Sequence, residues 1–246
     1  MKELFTIHKP NHAVLITGAA NRIGKQIAIY FASKGYNIAI HYSNSQETAI
    51  ETKVEIKAQY NIECEIFKAD FLNRTETTHL LSVVQSVFDI KHLVNNASIF
   101  YENKFSNSGI SDLDVFMEVN FKTPYLLTKQ FAQFASEGSC IINILDTKIT
   151  QNKTKNFDYL LSKKFLEVFT KQVAYELAPK IRVNGIAPGV ILPPKNEDEN
   201  YLNSMIANIP MNSIGSINNI THSIDFLINN EFITGQVIFV DGGENL

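Results

Sequence analysis

Cysteine, proline, glycine and long apolar runs are all scarce in this sequence, and each absence excludes a class of protein. The two cysteines, Cys64 and Cys140, are too few for a disulfide framework and fall in apolar, strand-like segments. With 7 prolines and 11 glycines in 246 residues, collagen-like and linker-dominated chains are excluded. No segment approaches the roughly 18 consecutive apolar residues of a membrane span, and residues 1–12 lack the apolar core of a signal peptide. These absences predict a cytoplasmic protein.

A surplus of positive charge is absent as well. The 22 basic and 25 acidic residues give a net charge of -3, and the sequence contains no five-residue run of Lys or Arg. We therefore expect neither a nucleic-acid partner nor a membrane partner. The six histidines show no paired metal-ligand spacing, so no metal is proposed. What is present is 45% hydrophobic residues, enough in a chain of this length for a large buried core.

Short β-branched segments alternate with longer segments of helical periodicity along the chain. Seven strands are predicted at residues 13–16, 37–42, 64–68, 92–95, 139–145, 181–186 and 236–240. Because a crossover helix returns the chain to the same edge of the sheet, these strands must run parallel. We therefore predict an α/β fold: a single doubly wound (Rossmann) domain over residues 1–246, whose parallel seven-stranded sheet is flanked by helices.

Residues 190–212 interrupt this alternation. They contain Pro193-Pro194 and the polar run 195–200, and we predict a loop there. Long loops in compact domains are often functional, so this segment is a candidate substrate loop or lid. A solvated connection between strand and helix is the alternative.

Residues 17–24, with the sequence TGAANRIG, join the first strand to the first helix, which is predicted at residues 23–34. Such a turn presents free backbone N–H groups at the positive end of a helix, where a dinucleotide pyrophosphate can bind. The candidate cofactor contacts here are Gly18, Asn21, Arg22, Ile23 and Gly24. With only two glycines, an ordinary strand-to-helix turn is the alternative.

The residues after the second strand bear on the choice of cofactor. An acid at this point usually binds the ribose of NAD, but here no carboxylate occurs before Glu47. Arg22 supplies a cation, and the polar residues near the strand end supply donors that suit a 2′-phosphate. The candidate contacts are His41, Ser43 and Asn44. The pattern favours NADP(H), and an ordinary polar turn is the alternative.

Tyr159 and Lys163 are four residues apart and so lie on one face of a helix, which is predicted at residues 157–177. A nearby cation favours tyrosinate, so we expect Lys163 to lower the phenol pKa and to make Tyr159 a proton donor. Two other pairs share this spacing, Tyr30 with Lys34 and Tyr125 with Lys129. Asp146, which ends a predicted strand thirteen residues before Tyr159, favours the first pair. The equivalent acid before Tyr125 is Asp112, which falls at a helix start and is interpreted as N-terminal charge.

With these features in place, the sequence resembles the short-chain dehydrogenase/reductase family over nearly its whole length. The matching pieces are residues 17–24, Asp70, Asn95-Asn96-Ala97, Asn120, Tyr159 with Lys163, Arg182-Val183-Asn184, Pro188-Gly189, residues 233–235 and residues 241–243. The resemblance implies that Asp70, with Phe71 beside it, contacts the adenine and that Asn96 and Ala97 line the cofactor. It also implies that Asn120 holds a water relay to Lys163 and that Pro188 and Gly189 border the nicotinamide.

Three departures from the general family pattern are shared with the pteridine reductases. Arg22 replaces a loop glycine, Asp146 replaces the catalytic serine, and Ser98 replaces a glycine. The likeness extends to Phe100, whose position in that subgroup stacks a pterin against the nicotinamide, and to the similar dihydromonapterin reductases. The implied substrate contacts are Arg22, Ser98, Phe100, Asp146 and Tyr159. Binding of a surface carboxylate is the alternative for Arg22, and core packing is the alternative for Phe100.

The residue at position 146 also has a consequence that does not depend on the resemblance. A serine hydroxyl can donate to the oxyanion that develops when a ketone is reduced, whereas an ionised carboxylate repels it. In a C=N bond the charge develops on nitrogen and is quenched by a proton, which Asp146 and Tyr159 can orient or donate. The alternative for Asp146 is a solvated loop acid.

The sequence therefore predicts NADPH-dependent reduction of dihydropterins, with dihydrofolate as a further substrate. The catalytic residues are Tyr159, Lys163, Asp146 and Asn120. The alternatives are a carbonyl or 3-oxoacyl thioester reductase, and an NADP(H)-binding sensor without catalysis. The resemblance, with more apolar residues in 157–177 than one inward stripe needs, also implies a homotetramer.

Overall fold

The computed structural model describes residues 12–152, 155–193 and 199–246, and parallel strands form its centre. The strands are β1 (His12–Ile16), β2 (Asn37–Tyr42), β3 (Cys64–Lys68), β4 (Asp89–Asn95), β5 (Ser139–Ile144), β6 (Ile181–Pro188) and β7 (Val237–Val240). They form one sheet in the order β3-β2-β1-β4-β5-β6-β7, with parallel pairing at every step. The predicted fold is confirmed.

Helices cover both faces of this sheet. They are α1 (Arg22–Ser33), α2 (Gln46–Gln59), α3 (Arg74–Gln85), α4 (Ile110–Met117), α5 (Thr123–Phe134), α6 (Phe157–Leu177), α7 (Glu199–Met205) and α8 (Ile217–Asn229). Val14 and Ile16 of β1 pack in a core with α1, α2 and α8, whereas Ala13 and Leu15 pack in a second core with α3, α5 and α6. This division follows because successive side chains of a strand point to opposite faces.

The order of the strands determines where a ligand can bind. β1 pairs with β2 on one side and with β4 on the other, so the winding of the chain reverses at this point. The loops after β1, β4, β5 and β6 leave the sheet at its carboxyl edge. Beside them, a π-helical turn at Glu118–Lys122 joins α4 to α5 and carries Asn120. Turns of this kind occur frequently at functional sites.

The predicted loop over residues 190–212 contains a short helix, and its role as a substrate loop or lid stays a prediction. Residues 194–198 lie outside the described part of the chain, but α7 and a 3₁₀ turn at Ile206–Asn208 follow them. The described half-buried residues of α7 are Tyr201, Leu202 and Met205. This spacing places them on one face of a helix, and their burial stabilises it. In the described ranges, no helix is long and apolar enough to cross a membrane.

Candidate active site

Tyr159 and Asp146 meet at the carboxyl edge of the sheet. Asp146 follows β5 and Tyr159 is the third residue of α6, and the tyrosine hydroxyl donates to Asp146 Oδ2 at 3.0 Å. Asp146 Oδ1 accepts from the Lys148 N–H at 2.8 Å, because Asp146 is the N-cap of the 3₁₀ turn Thr147–Thr150. Backbone geometry therefore holds the carboxylate in the orientation in which it faces the phenol.

The charges around Tyr159 make the phenol a weaker acid than the sequence predicted. Burial raises the pKa of Tyr159 well above its ordinary value, and the adjacent Asp146 carboxylate raises it further. Burial lowers the pKa of Lys163 to about 8, although Asp146 opposes that shift. The Lys163 ammonium lies 5.9 Å from the Tyr159 ring and donates to the Ile144 carbonyl at 2.8 Å. The prediction that Lys163 lowers the phenol pKa is therefore wrong, because burial and the carboxylate that faces the hydroxyl both raise it.

Asn120 is buried and connects three elements of the site. Its Oδ1 accepts from the Ser98 hydroxyl at 3.1 Å and from the Ile99 N–H at 2.9 Å. Its Nδ2 donates to the Ile99 carbonyl at 3.2 Å and to the Ser162 hydroxyl at 3.1 Å. Two accepted and two donated bonds fill the capacity of the amide. The side chain thus holds the start of the β4–α4 loop against α6, and the predicted water relay remains a proposal.

Phe100 stands beside the phenol. Its ring lies edge-on to the Tyr159 ring, with centroids 4.8 Å apart, and 57% of the residue is exposed. A core residue would be covered, so the alternative of core packing for Phe100 is not what the structure shows. Ser98 is also exposed, two residues earlier in the same loop. The structure therefore brings Ser98, Phe100, Asp146 and Tyr159 to one edge of the sheet.

The loop after β1 has the backbone geometry that a phosphate needs. Gly18 has φ of 65°, and a Cβ on Gly24 would lie 2.3 Å from the Gly18 carbonyl oxygen, so both positions require glycine. Asn96 Nδ2 donates to the Thr17 carbonyl at 2.8 Å, and the Thr17 hydroxyl accepts from the Asn96 and Ala97 N–H groups. Asn21, the N-cap of α1, makes no side-chain cap bond, so its side chain leaves the first N–H groups of α1 to other partners.

Arg22 combines an uncommon backbone conformation with a long-range contact. Its φ is 52°, in the left-handed region that a non-glycine residue enters at a cost of roughly 1–2 kcal/mol. Its guanidinium donates to the Pro193 carbonyl at 2.7 Å. The contact joins the phosphate loop to the start of the predicted substrate loop, and it is not the surface carboxylate contact that was the alternative.

His41 lies inside the protein behind the phosphate loop. Its Nδ1 accepts from the Gly18 N–H at 3.0 Å, which leaves the Nε2 hydrogen to donate to the Ala69 carbonyl at 2.9 Å. Burial lowers the pKa of His41 to about 4, so the ring is neutral. It also stacks on Phe71, with centroids 4.1 Å apart. The side chains of His41 and Phe71 therefore support the cofactor loop from within and leave only backbone for a direct contact.

The other predicted cofactor residues surround the same edge. Ser43 is half-buried and Asn44 exposed just after β2, and Ser45, the N-cap of α2, makes no side-chain cap bond. Ala97, Asp70, Ile23, Pro188 and Gly189 are half-buried at the ends of their strands or in the first turn of α1. No group of three His, Cys, Asp or Glu residues suited to a metal ion occurs in the described part of the chain.

The sequence reasoning missed two buried polar residues near the site. Asn103 is 7% exposed and Asp158 4% exposed, and Asn103 Nδ2 donates to Asp158 Oδ2 at 2.6 Å. Asp158 directly precedes Tyr159, and a charged residue beside a candidate catalytic residue was the one available signal. Nothing local marks Asn103, because its partner lies 55 residues away along the chain.

Comparisons with known proteins agree with the fold described above. Residues 18–245 match a family model described as enoyl-(acyl carrier protein) reductase. A 3-oxoacyl-(acyl-carrier-protein) reductase FabG of Staphylococcus epidermidis is 30% identical over 241 residues, covering 95% of this chain and 98% of the relative. A dihydromonapterin reductase of Escherichia coli is 28% identical, covering 95% and 96%. The crystal structure of FolM alternative dihydrofolate reductase 1 from Brucella suis, in complex with NADP, is 30% identical with a TM-score of 0.90, covering 96% of this chain and 95% of that one.

Proposed function

Because the chain belongs to the short-chain dehydrogenase/reductase family, we propose that it is an NADPH-dependent reductase of dihydropterins. The substrates would be 7,8-dihydromonapterin or 7,8-dihydrobiopterin, reduced to the tetrahydro form, with dihydrofolate as a further substrate. The similarity to a dihydromonapterin reductase and to an alternative dihydrofolate reductase supports this proposal. The chain is thus an oxidoreductase that acts on a small molecule.

The observation that carries the proposal is the hydrogen bond from the Tyr159 hydroxyl to Asp146 Oδ2 at 3.0 Å. A carboxylate at this position opposes the negative oxygen that ketone reduction creates. In a C=N bond the charge that develops on nitrogen is quenched by a proton, which must come from a donor that stays protonated near neutral pH. The raised pKa of Tyr159 keeps its proton in place until the substrate nitrogen takes it.

The phosphate loop fits NADP(H). The uncapped N–H groups of α1 suit the pyrophosphate, and the uncapped start of α2 with Ser43 and Asn44 suits a 2′-phosphate. Pro188 and Gly189 would border the nicotinamide, and Asp70 and Phe71 would lie at the adenine. When bound, the cofactor supplies the hydride that is added to the ring carbon of the pterin.

The chain's own residues then have separate tasks. Tyr159 delivers its proton to the adjacent ring nitrogen, and Asp146 orients the hydroxyl and the pterin. Lys163, charged below a pKa of about 8, binds the ribose. Phe100 and Arg22 hold the pterin ring, and Asn120 keeps the loop that carries Phe100 against α6.

A carbonyl or 3-oxoacyl thioester reductase is the second candidate, because the FabG relative is as similar in sequence as the FolM structure. The deciding experiment is NADPH oxidation by the purified protein with 7,8-dihydromonapterin, 7,8-dihydrobiopterin, dihydrofolate and an acetoacetyl thioester in parallel. Turnover of the pterins or folate is expected. Turnover of the thioester alone would refute the proposal, and NADPH binding without any turnover would indicate a sensor.

We propose that the protein works as a homotetramer in the cytoplasm. Phe121, Tyr125, Phe165 and Phe169 form an aromatic cluster on α5, α6 and the turn before α5, and Tyr125 and Phe165 are exposed. An exposed apolar patch of this kind is typical of an interface. Both cysteines are free and buried, as in a reducing compartment. Gel filtration is expected to give four times the chain mass, and a monomer would contradict the tetramer.

A further inference from the structure

The loop between β4 and α4 is fastened to the first turn of the helix that carries Tyr159. Asp158 accepts hydrogen bonds from Asn103 Nδ2, at 2.6 Å, and from the Ser108 hydroxyl. Asn103 accepts in return: its Oδ1 takes the Asp158 N–H at 3.3 Å, and its carbonyl oxygen takes the Phe157 N–H at 3.2 Å. Asn103, Ser108 and Asp158 are called the loop clamp below.

The loop clamp supplies a helix cap that the local sequence lacks. Asn156, the N-cap of α6, has φ of 59°, and its side chain makes no cap hydrogen bond. The first N–H groups of a helix need partners, and Asn103 provides two of them from a distant loop. The Asp158 carboxylate also lies in the first turn, where the helix dipole stabilises negative charge. The loop and the start of α6 therefore stabilise each other.

The loop clamp lies between the two groups that would contact a pterin. Phe100 is three residues before Asn103, and Tyr159 is one residue after Asp158. Phe100 is more than half exposed, and its described ring contact is with Tyr159, so its own packing does little to fix it. Asn120 holds the loop at Ile99, on the near side of Phe100, and the loop clamp holds the far side.

We propose that Asn103 and Asp158 are positioning residues for pterin binding, which rests on the proposed function. Neither touches the substrate. They hold Phe100 at a constant distance from the Tyr159 hydroxyl, so that a flat ring can stack on one while its nitrogen reaches the other. A loop released from α6 would have to be ordered again by each substrate molecule, and this cost appears as a higher KM.

The test exchanges the two side chains. Asp158→Asn removes the charge and leaves a weaker amide–amide hydrogen bond, whereas Asn103→Asp brings two carboxylates together, so each single variant loses the charged hydrogen bond. The double variant again pairs a carboxylate with an amide, but the carboxylate is then at position 103 and the amide at position 158. We expect each single variant to raise the KM for 7,8-dihydromonapterin about tenfold, the loss of one charged hydrogen bond. The kcat and the Kd for NADPH stay near their wild-type values, and the double variant recovers most of the lost affinity.

Asp114→Asn is the matched control, because Asp114 is exposed on α4 and the substitution removes the same charge away from the loop clamp. A fall in kcat at constant KM in the single variants, or a double variant no better than they are, would overturn the proposal. Hydrogen exchange over residues 100–109 provides a readout that needs no turnover. Faster exchange in the single variants and recovery in the double variant support the loop clamp even if wild-type protein reduces no pterin, a result that would refute only the proposed function. Unchanged exchange in the single variants would refute the loop clamp.

Discussion

Replacing Asp146 with serine is expected to exchange one substrate class for another. The substitution removes the acceptor of the Tyr159 hydrogen bond, 3.0 Å long, together with the negative charge that faces the phenol. It leaves the fold intact, because serine is as good an N-cap as aspartate for the 3₁₀ turn that Asp146 now caps at the Lys148 N–H. Any change in activity then reports on the chemistry of the site.

The expected loss of pterin reduction follows from that hydrogen bond. A hydrogen bond to a charged group contributes about 1.5–3 kcal/mol, and each 1.4 kcal/mol or so is tenfold in rate. Without its acceptor the phenol is no longer oriented, so kcat for 7,8-dihydromonapterin should fall about 10- to 150-fold in Asp146→Ser. The pKa of Tyr159 should also fall, because the charge and the hydrogen bond of Asp146, which both raise it, are gone while burial remains.

The expected gain in ketone reduction has the opposite sign. A carboxylate about 4 Å from a developing oxyanion costs about 4 kcal/mol at an effective dielectric constant of about 20. Removing that repulsion and adding a hydroxyl donor should raise kcat/KM for an acetoacetyl thioester at least about 100-fold, since one oxyanion donor alone contributes about that much.

The rate of NADPH oxidation, followed by absorbance, is measured with both substrates on the wild type and on Asp146→Ser. It checks the expected loss of pterin reduction and the expected gain of thioester reduction. Asp146→Asn is the control, because it removes the charge at constant size but keeps an oxygen that accepts from the Tyr159 hydroxyl, so its pterin turnover should fall less than that of Asp146→Ser. If Asp146→Ser keeps wild-type turnover of 7,8-dihydromonapterin, Asp146 has no part in pterin reduction and the reasoning from its charge is wrong.

Three further results are expected. Lys163 has a pKa of about 8, so the Kd for NADPH should rise about tenfold per pH unit above pH 8 in the wild type and stay flat in Lys163→Met, by fluorescence titration. The pKa of His41 is about 4 in the folded protein and 6.5 in the unfolded chain, so the unfolded chain binds the proton first as the pH falls. About 3 kcal/mol of the free energy of unfolding is therefore lost between pH 6.5 and pH 4. Urea unfolding should show this loss in the wild type and not in His41→Asn. Arg22→Gly relieves the strain of a φ of 52° but gives the unfolded chain more conformational freedom, so the free energy of unfolding should change by less than about 1 kcal/mol. The KM for 7,8-dihydromonapterin should rise about tenfold, because a charged contact is lost. An unchanged KM would show that Arg22 is not part of the substrate site.

The fold was predictable because its signals are local and repeated. Each strand is a short β-branched run, each crossover is a helix of sufficient length, and right-handed parallel connection leaves few ways to order them. The short helix α7 was missed because its polar residues and the prolines before it resemble a loop, while its half-buried face is apparent only once Tyr201 and Leu202 have something to pack on.

The proximity of Tyr159 and Asp146 was predictable, because it follows from residue type and spacing along the chain. The site was not predictable where a side chain acts through tertiary contact. Histidine is a residue type that can bind phosphate, but burial keeps the His41 ring neutral, and its Nδ1 accepts a hydrogen bond from the Gly18 N–H instead. Asn103 has no local signal at all, because the helix that it caps begins more than fifty residues later.

The raised pKa of Tyr159 bears on which substrates the site can reduce. The site holds one carboxylate, one ammonium whose pKa burial lowers to about 8, and a neutral phenol that donates to the carboxylate. An oxyanion would add a second negative charge beside Asp146. Protonation of a nitrogen by Tyr159 places the new negative charge on the tyrosinate, whose ring centroid lies 5.9 Å from the Lys163 ammonium. A carboxylate offers an oxyanion no hydroxyl donor, which supports the proposed C=N substrate, and Lys163 would stabilise the tyrosinate that remains after proton transfer.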